Sequence, residues 1–535
     1  MNVKRQTSSV TFDARRLTMT YKSALLITLL ALVLLAFHQG HYYDALGRDA
    51  VDDAYISWRY ARHLVSGHGL VFNPGERVEG YTNFLWTIVS VPFIALGAGE
   101  VMGPVGMGLG ALCALATLVL LVLFVRQTDE RPLVAGLAAL LLAVDGSFAL
   151  WSVSGMETAF FGLWLLAGAT AYLWENRRAG RPGVLSGVLF ALAAMSRPEG
   201  LLVFALTVIH QVFLRLADLR RERSWLAAAV NWADMGRILG FLAVFAPYFL
   251  WRYRYYGHLL PNTFYAKVTL ENTEAQHSRG WRHLEMFVNV HRGWLILLFP
   301  LIALLRRRVR PWATYAALIL AVYSAYIVYV GGDWSVGRFF APILPFFYLL
   351  LAAGLVRLAE GILALLPLPE GERRRRGVRV TMTLTSVLLL VIGLFALYDA
   401  SSVHGEDELF VQRFQAATAT RARVTFGRWL KAHVPPDTYI AVDAAGQIPY
   451  FSGLRTLDMF GINDEHTAHM KVPTMGQGTP GHEKFDFPYI MARRPDLVIV
   501  YGPLLDNSTE YIRADYSWTD DPALRAFLNV YRRAR

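Results

Sequence analysis

Residues 52–86 read DDAYISWRYARHLVSGHGLVFNPGERVEGYTNFLW and lie between two long apolar runs. The stretch opens on two adjacent carboxylates, Asp52 and Asp53. Apolar and basic residues then alternate at helical spacing, the pattern of an amphipathic helix lying at a membrane face. It leads into a further apolar segment, residues 82–97, whose assignment decides the topology of the whole chain.

Apolar runs long enough to cross a bilayer, at roughly 20 residues of 1.5 Å rise each, fall near 23–38, 102–125, 132–150, 158–174, 183–195, 200–216, 237–251, 292–305, 312–330, 341–358 and 380–398. That makes about eleven crossings when 82–97 is left out. Clusters of Lys and Arg hold loops on the cytoplasmic side. The basic N-terminus and the basic loops at 177–181, 215–237, 306–310 and 373–379 share that side only if 82–97 does not cross. Residues 82–97 are therefore expected to be re-entrant or to lie in the interface. The same parity puts residues 39–101, 151–157, 196–199, 252–291, 331–338 and everything after 398 outside.

Composition agrees. Over 535 residues, 55% are hydrophobic and 17% charged, with a mean hydropathy of +0.35, too apolar for a soluble chain of this length. The net charge of +11 sits in short clusters between apolar runs, so it reads as topology and not as nucleic-acid binding. The single cysteine, Cys113, lies in an apolar run, which excludes an intramolecular disulfide and argues against thiolate chemistry. The basic N-terminus with the apolar run after residue 23 resembles a signal peptide or first anchor. No small-x-small cleavage site follows it, so the segment is expected to stay attached. The spans carry almost no charge and show no matched Gly- or Pro-broken helices, which argues against a pump or an alternating-access carrier.

The tail changes character. TYIAVDA (438–444) and DLVIVYG (496–502) read as buried strands and ATRARVTFGRWLKAHV (419–434) as an amphipathic helix. The expected organisation is a polytopic α-helical membrane domain, 1–398, followed by a small α/β domain, 399–535. The chain would sit in the cell (inner) membrane with a cytoplasmic N-terminus and a periplasmic tail.

Asp52 and Asp53 admit two readings: one carboxylate caps the helix while the other is solvated, or one is a general base while the other orients it or meets a metal. The text around them carries a resemblance. Together with VSGMETAFF (153–161), SRPEGLLVF (196–204), YGHLLPNTFYAKV (256–268), GGDWSVGRFFAPILP (331–345), IAVDAAGQIPYFSG (440–453), DMFGINDEHTAH (458–469) and GHEK (481–484), it is similar to the GT-C fold glycosyltransferases that use polyprenyl-phosphate sugars. Within them it most resembles the terminal β-(1→2) arabinofuranosyltransferases of actinobacterial cell-wall synthesis.

That resemblance implies an inverting displacement at the anomeric carbon, with polyprenyl phosphate leaving and Asp53 or Asp52 as base, Asp53 favoured. It implies a lipid-linked donor, a glycan acceptor and membrane lipid as partners, and no nucleic acid. A phosphate leaving group needs positive charge more than an acid. Arg197, Lys267 and Arg338 offer it from outer loops, although each reads equally as a snorkelling interface anchor. Glu79 and Glu157 could hydrogen-bond sugar hydroxyls or cap helices, and Asp333 beside Trp334 could offer a carboxylate and a stacking face. Asn262, Tyr265 and His258 are further candidates on the long outer loop. In the tail, His466 within D-E-H-x-x-H is expected to meet donor phosphate or glycan; the spacing is not the helical metalloprotease signature, so no metal ligands are assigned. No cofactor is required, although paired acids near a phosphate could hold a divalent cation. The alternatives are transfer of a hexose onto protein or lipid, or a non-enzymatic protein that binds or flips lipid-linked sugars.

Overall fold

The computed structural model describes residues 10–177, 182–219, 232–268, 273–291, 297–305, 310–335, 337–365, 416–501 and 510–534. The expected span at 380–398 and the domain boundary at 398/399 lie outside these residues. In chain order the membrane part contains α1 (Val10–Ala45), α2 (Asp52–Val65), α3 (Phe84–Ala95), α4 (Met102–Val125), α5 (Pro132–Ala143), α6 (Gly146–Ser152), α7 (Thr158–Asn176), α8 (Val184–Ser196) and α9 (Glu199–Leu219). It continues with α10 (Trp232–Tyr256), α11 (Asn262–Lys267), α12 (Thr273–Val290), α13 (Leu298–Leu304), α14 (Arg310–Val330) and α15 (Leu344–Leu365).

Five stretches among the described residues are long and apolar enough to cross a membrane: Lys22–Ala45, Ala98–Val125, Glu199–Leu216, Pro311–Val330 and Ala341–Leu358. A sixth is added if α5 and α6, bent by 72° at their junction, count as one span. The bend has a local cause: Asp145 accepts a bond from Phe148 N at 2.7 Å and so starts a new helix where α5 ends. Residues 82–97 form the 12-residue helix α3, about 18 Å long at 1.5 Å per residue and too short to cross. Instead α3 packs along α2 and α8. Trp58 of α2 is buried against Gly106 of α4, where no side chain would fit.

The tail contains α16 (Ala416–His433), β1 (Tyr439–Val442), α17 (Gln447–Ser452), β2 (Arg455–Asp458), α18 (Glu465–His469), α19 (Phe487–Ala492), β3 (Leu497–Val500), β4 (Tyr511–Arg513), α20 (Pro522–Phe527) and β5 (Asn529–Arg533). The sheet order is β2-β1-β3-β5-β4. β1 pairs in parallel with β2 and with β3, and β5 runs antiparallel to β3 and β4. The apolar stretches at 438–444 and 496–502 became β1 and β3, and the amphipathic one became α16.

The tail is fixed to the membrane part by buried polar contacts. Arg59 of α2 is buried and donates to the carbonyls of Phe72 (2.7 Å), Leu454 (2.7 Å) and Pro449. Asn262 Nδ2 donates to the carbonyls of Gly461 (2.9 Å) and Ile462 (3.0 Å), and Arg279 of α12 pairs with Glu483 at 2.6 Å. Hydrogen bonds to charged groups contribute about 1.5–3 kcal/mol each, so the tail sits in one position and is not merely tethered.

Candidate active site

The adjacent acids do different work. Val51 is the N-cap of α2, and Asp52 and Asp53 occupy its first turn, where the helix dipole favours negative charge. Asp52 points to the tail: its two carboxylate oxygens accept the backbone N–H groups of Gly446 (2.9 Å) and Gln447 (2.8 Å) at the start of α17. Gly446 packs so closely on the Asp52 backbone that a Cβ there would overlap it. Asp53 instead opens onto a cavity and accepts from Arg338 Nη1 at 3.2 Å.

Their electrostatics diverge accordingly. Burial raises the Asp52 carboxyl above its ordinary range, more than Arg423 and the backbone donors lower it. Burial also pushes Asp53 up, but Arg338, then Lys267 and His482, outweigh it and hold the group below the usual carboxylate range. Adjacent titratable groups pushed apart in this way mark a division of roles. Asp53 is the one whose ionised form the neighbouring cations favour.

A cavity of about 200 Å³ on the membrane side of Asp53 is lined by Glu157, Arg197, Lys267, Asp333 and Arg338 together with Tyr326, Phe339 and other apolar residues. Two of the three expected cations are already paired. Arg197 donates to Glu157 (2.7 Å) and Glu199 (2.8 Å), all three being buried. Arg338 holds both oxygens of Asp333, at 2.5 and 2.7 Å, and lies near the rings of Trp334 and Phe339. Lys267, at the end of α11, has no carboxylate within salt-bridge distance among the described residues, although Asp53 and Asp333 are near enough to raise its pKa. Burial and Arg338 nonetheless leave that amine below its ordinary value. Its methylene stem packs on Gly481, whose φ of +80° sets the tail loop against it. Of the three expected cations, Lys267 is thus the one not held by a carboxylate among the described residues.

Other expected residues lie elsewhere. Glu157 lines the cavity, but Asn83 and Arg197 occupy its oxygens. Glu79 is buried outside the cavity lining, forked onto Arg252 at 2.7 and 2.8 Å, while its carbonyl accepts from Asn262 N. Asn262 therefore ties the segment after α10 to the tail. Tyr265 stacks on His469 at 4.2 Å between ring centroids. His466 turns away from both cavities to bond Asp486 at 2.9 Å and stack on Tyr489. The D-E-H-x-x-H cluster is split: Asp464 caps α18, and Glu465 and His469 meet His258 of the segment after α10, with side-chain N and O atoms of the three within 4.8 Å of one another.

A second cavity, about 420 Å³, lies on the tail side of Asp53 and shares Asp53, Ile56, Lys267, Ile462 and Pro480 with the first. Asp443, Asp458, His482 and Arg423 line it and were not singled out in the sequence. The signal that could have found the two acids is that Asp443 closes the strand run 438–444 and Asp458 opens DMFGINDEHTAH, both inside motifs that carry the resemblance.

Comparisons with known proteins follow this geometry. A family model described as a domain of unknown function, DUF8728, matches residues 412–532. A protein of Corynebacterium glutamicum named terminal beta-(1->2)-arabinofuranosyltransferase is 27% identical over 339 residues, 57% of this chain and 47% of its own. One of the same name from Mycobacterium tuberculosis is 28% identical over 402 residues, 66% of this chain and 58% of its own. The chain thus spans 47% and 58% of the curated relatives it matches. Among solved structures, ArnT from Cupriavidus metallidurans bound to undecaprenyl phosphate superposes with a TM-score of 0.56 at 14% identity, covering 95% of this chain and 97% of that one. Its apo state gives 0.55 at 13% identity, with the same coverage. The resemblance to the arabinofuranosyltransferases holds, and the chain is an integral membrane protein with the GT-C fold and a C-terminal domain built on a small sheet.

Proposed function

We propose that the chain is a glycosyltransferase that moves a sugar, arabinofuranose by preference, from a polyprenyl-phosphate donor to a hydroxyl of a cell-envelope glycan at the outer face of the inner membrane. The N-terminus is then cytoplasmic and the tail periplasmic. The observation that carries this reading is Asp53, held ionised where a membrane-side cavity with cations meets a tail-side cavity. An acceptor hydroxyl attacks the anomeric carbon while Asp53 takes its proton. The new O–C1 bond forms as the bond from C1 to the phosphate oxygen breaks, and polyprenyl phosphate leaves with inverted configuration at C1. Arg338 and Lys267 stabilise the leaving charge, and the apolar wall beside them suits a lipid-linked donor. Arg197 lines the same cavity but is held by its two glutamates. A protein that only bound or flipped such a lipid would need the cations but no carboxylate base.

The test is to incubate the purified full chain with synthetic polyprenyl-phosphate arabinofuranose and hexose donors, with and without chelator. Transfer from the pentose donor is expected. Transfer from the hexose donor alone would move the specificity, and transfer from neither would sink the enzyme reading. The chelator arm reads metal dependence.

Two further results are expected. Lys267→Gln removes a cation with no carboxylate partner, so folding should hold while donor KM rises roughly 10–150-fold, the worth of a hydrogen bond to a charged group. Unchanged donor KM would remove Lys267 from the phosphate site. In pH profiles, kcat/KM for the donor reports the free protein and kcat the loaded one. In the free protein the cations hold Asp53 low. A bound phosphate offsets those cations, so the acid limb of kcat should lie at higher pH than that of kcat/KM; coincident limbs would contradict a phosphate bound beside Asp53.

A further inference from the structure

The tail-side cavity has an origin in the sheet. β1 lies between β2 and β3, all three parallel. From β1 the chain passes to β2 on one flank, and from β3 it continues to β4 and β5 on the other, so the strand order reverses between the C-terminal ends of β1 and β3. In open α/β sheets, ligands bind outside the carboxyl ends of the strands at such a point. Here Asp443 follows β1, Asp458 ends β2 and Tyr501 follows β3, and all three line the cavity. Its volume of about 420 Å³ is in the range of sites for small ligands, which run from about 300 to 1,000 Å³.

The lining suits a sugar. Asp443 supplies a carboxylate, oriented by Tyr501 N donating to its Oδ2 at 2.6 Å. Arg423 of α16 presents a buried Nε without a hydrogen-bond partner among the described residues and lies 4.0 Å from Asp52. Trp334, Phe460, Tyr501 and Phe527 offer aromatic faces. Carboxylate and guanidinium groups bond vicinal hydroxyls and aromatic rings cover C–H faces. Asp458 is already engaged with Asn463 and Phe460 N, so it shapes the floor.

Building on the transferase reading, we propose that the acceptor's terminal sugars bind at the carboxyl ends of β1 and β3, between Asp443 and Arg423, with the reacting hydroxyl directed at Asp53. The tail domain then selects the acceptor, and the membrane domain selects the donor. Ala444 is half-buried and lines the cavity, so Ala444→Trp fills it without touching the membrane-side cavity.

The experiment uses the full chain and an arabinofuranose oligosaccharide as probe, measuring equilibrium binding of the probe, transfer to it, donor KM, and donor hydrolysis to water. Asp443→Asn should raise acceptor KM about tenfold, and Ala444→Trp should abolish probe binding. Both should leave donor KM within twofold and water hydrolysis intact, which also shows that they fold. Wild-type binding and transfer by Ala444→Trp would overturn the proposal, as would no saturable probe binding by the wild type. Failure of the transferase reading looks different: no transfer from any donor, with probe binding retained and lost in Ala444→Trp.

Discussion

Asp53→Asn is expected to lower kcat by about 10²–10⁴-fold, the usual contribution of a positioned general base, with donor affinity retained. The amide is isosteric and can still accept from Arg338 Nη1, so the cation that now sits 3.2 Å away keeps a partner. What it cannot do is take a proton. Asp52→Asn provides the contrast. That side chain accepts two backbone N–H groups of the tail, and an amide can satisfy only one of them, so its effect should fall on stability and tail docking, with a much smaller loss of turnover. Measuring single-turnover transfer and donor binding for both variants decides the assignment. Full transfer by Asp53→Asn would remove it as base, and equal losses in the two variants would mean that the pair acts as a structural unit.

Arg197→Ala should be the most destabilising single change in the site. Glu157 and Glu199 are 3% and 4% exposed, and Arg197 is the cation that faces both. Removing one partner of a buried ion pair typically costs about 3–5 kcal/mol, whereas replacing the whole group by neutral residues is often close to neutral. The expected outcome is therefore a marked fall in thermal stability in detergent for Arg197→Ala. Arg197→Met combined with Glu157→Gln and Glu199→Gln should recover most of it. Transfer by that triple variant separates the two roles for Arg197: recovery to within tenfold of wild type makes it a support for the cavity wall, while a rescued fold with donor KM raised a hundredfold returns it to the phosphate site.

Much of this arrangement was legible in the chain because it depends on local pattern. The amphipathic stretch after Asp52 and the two apolar strand runs each require only neighbouring residues to be read, and the placing of 82–97 required only the signs of the loop charges along the chain. Long-range pairing was not legible. Glu79 looks like a group available to a sugar until Arg252, 173 residues on, takes both its oxygens. His466 looks like a site histidine until Asp486 draws it off, and Asp443, read within a buried strand, shows as a cavity residue only when the sheet sets the end of β1 beside β3. Charge counting named Arg197, Lys267 and Arg338 but could not say that Glu157, Glu199 and Asp333 would pair with two of the three.

The contact between Asp52 and the first turn of α17 leaves no slack, since one peptide unit separates the residue that grips the tail from the residue that faces the cavity. A displacement of the tail by an ångström must carry the Asp53 backbone with it, and a misplacement of that size can cost about 100-fold in rate. Under the proposed reading, acceptor pocket and base then share one frame of reference. Any exchange of this tail for another would have to reproduce that single joint to within hydrogen-bond tolerance.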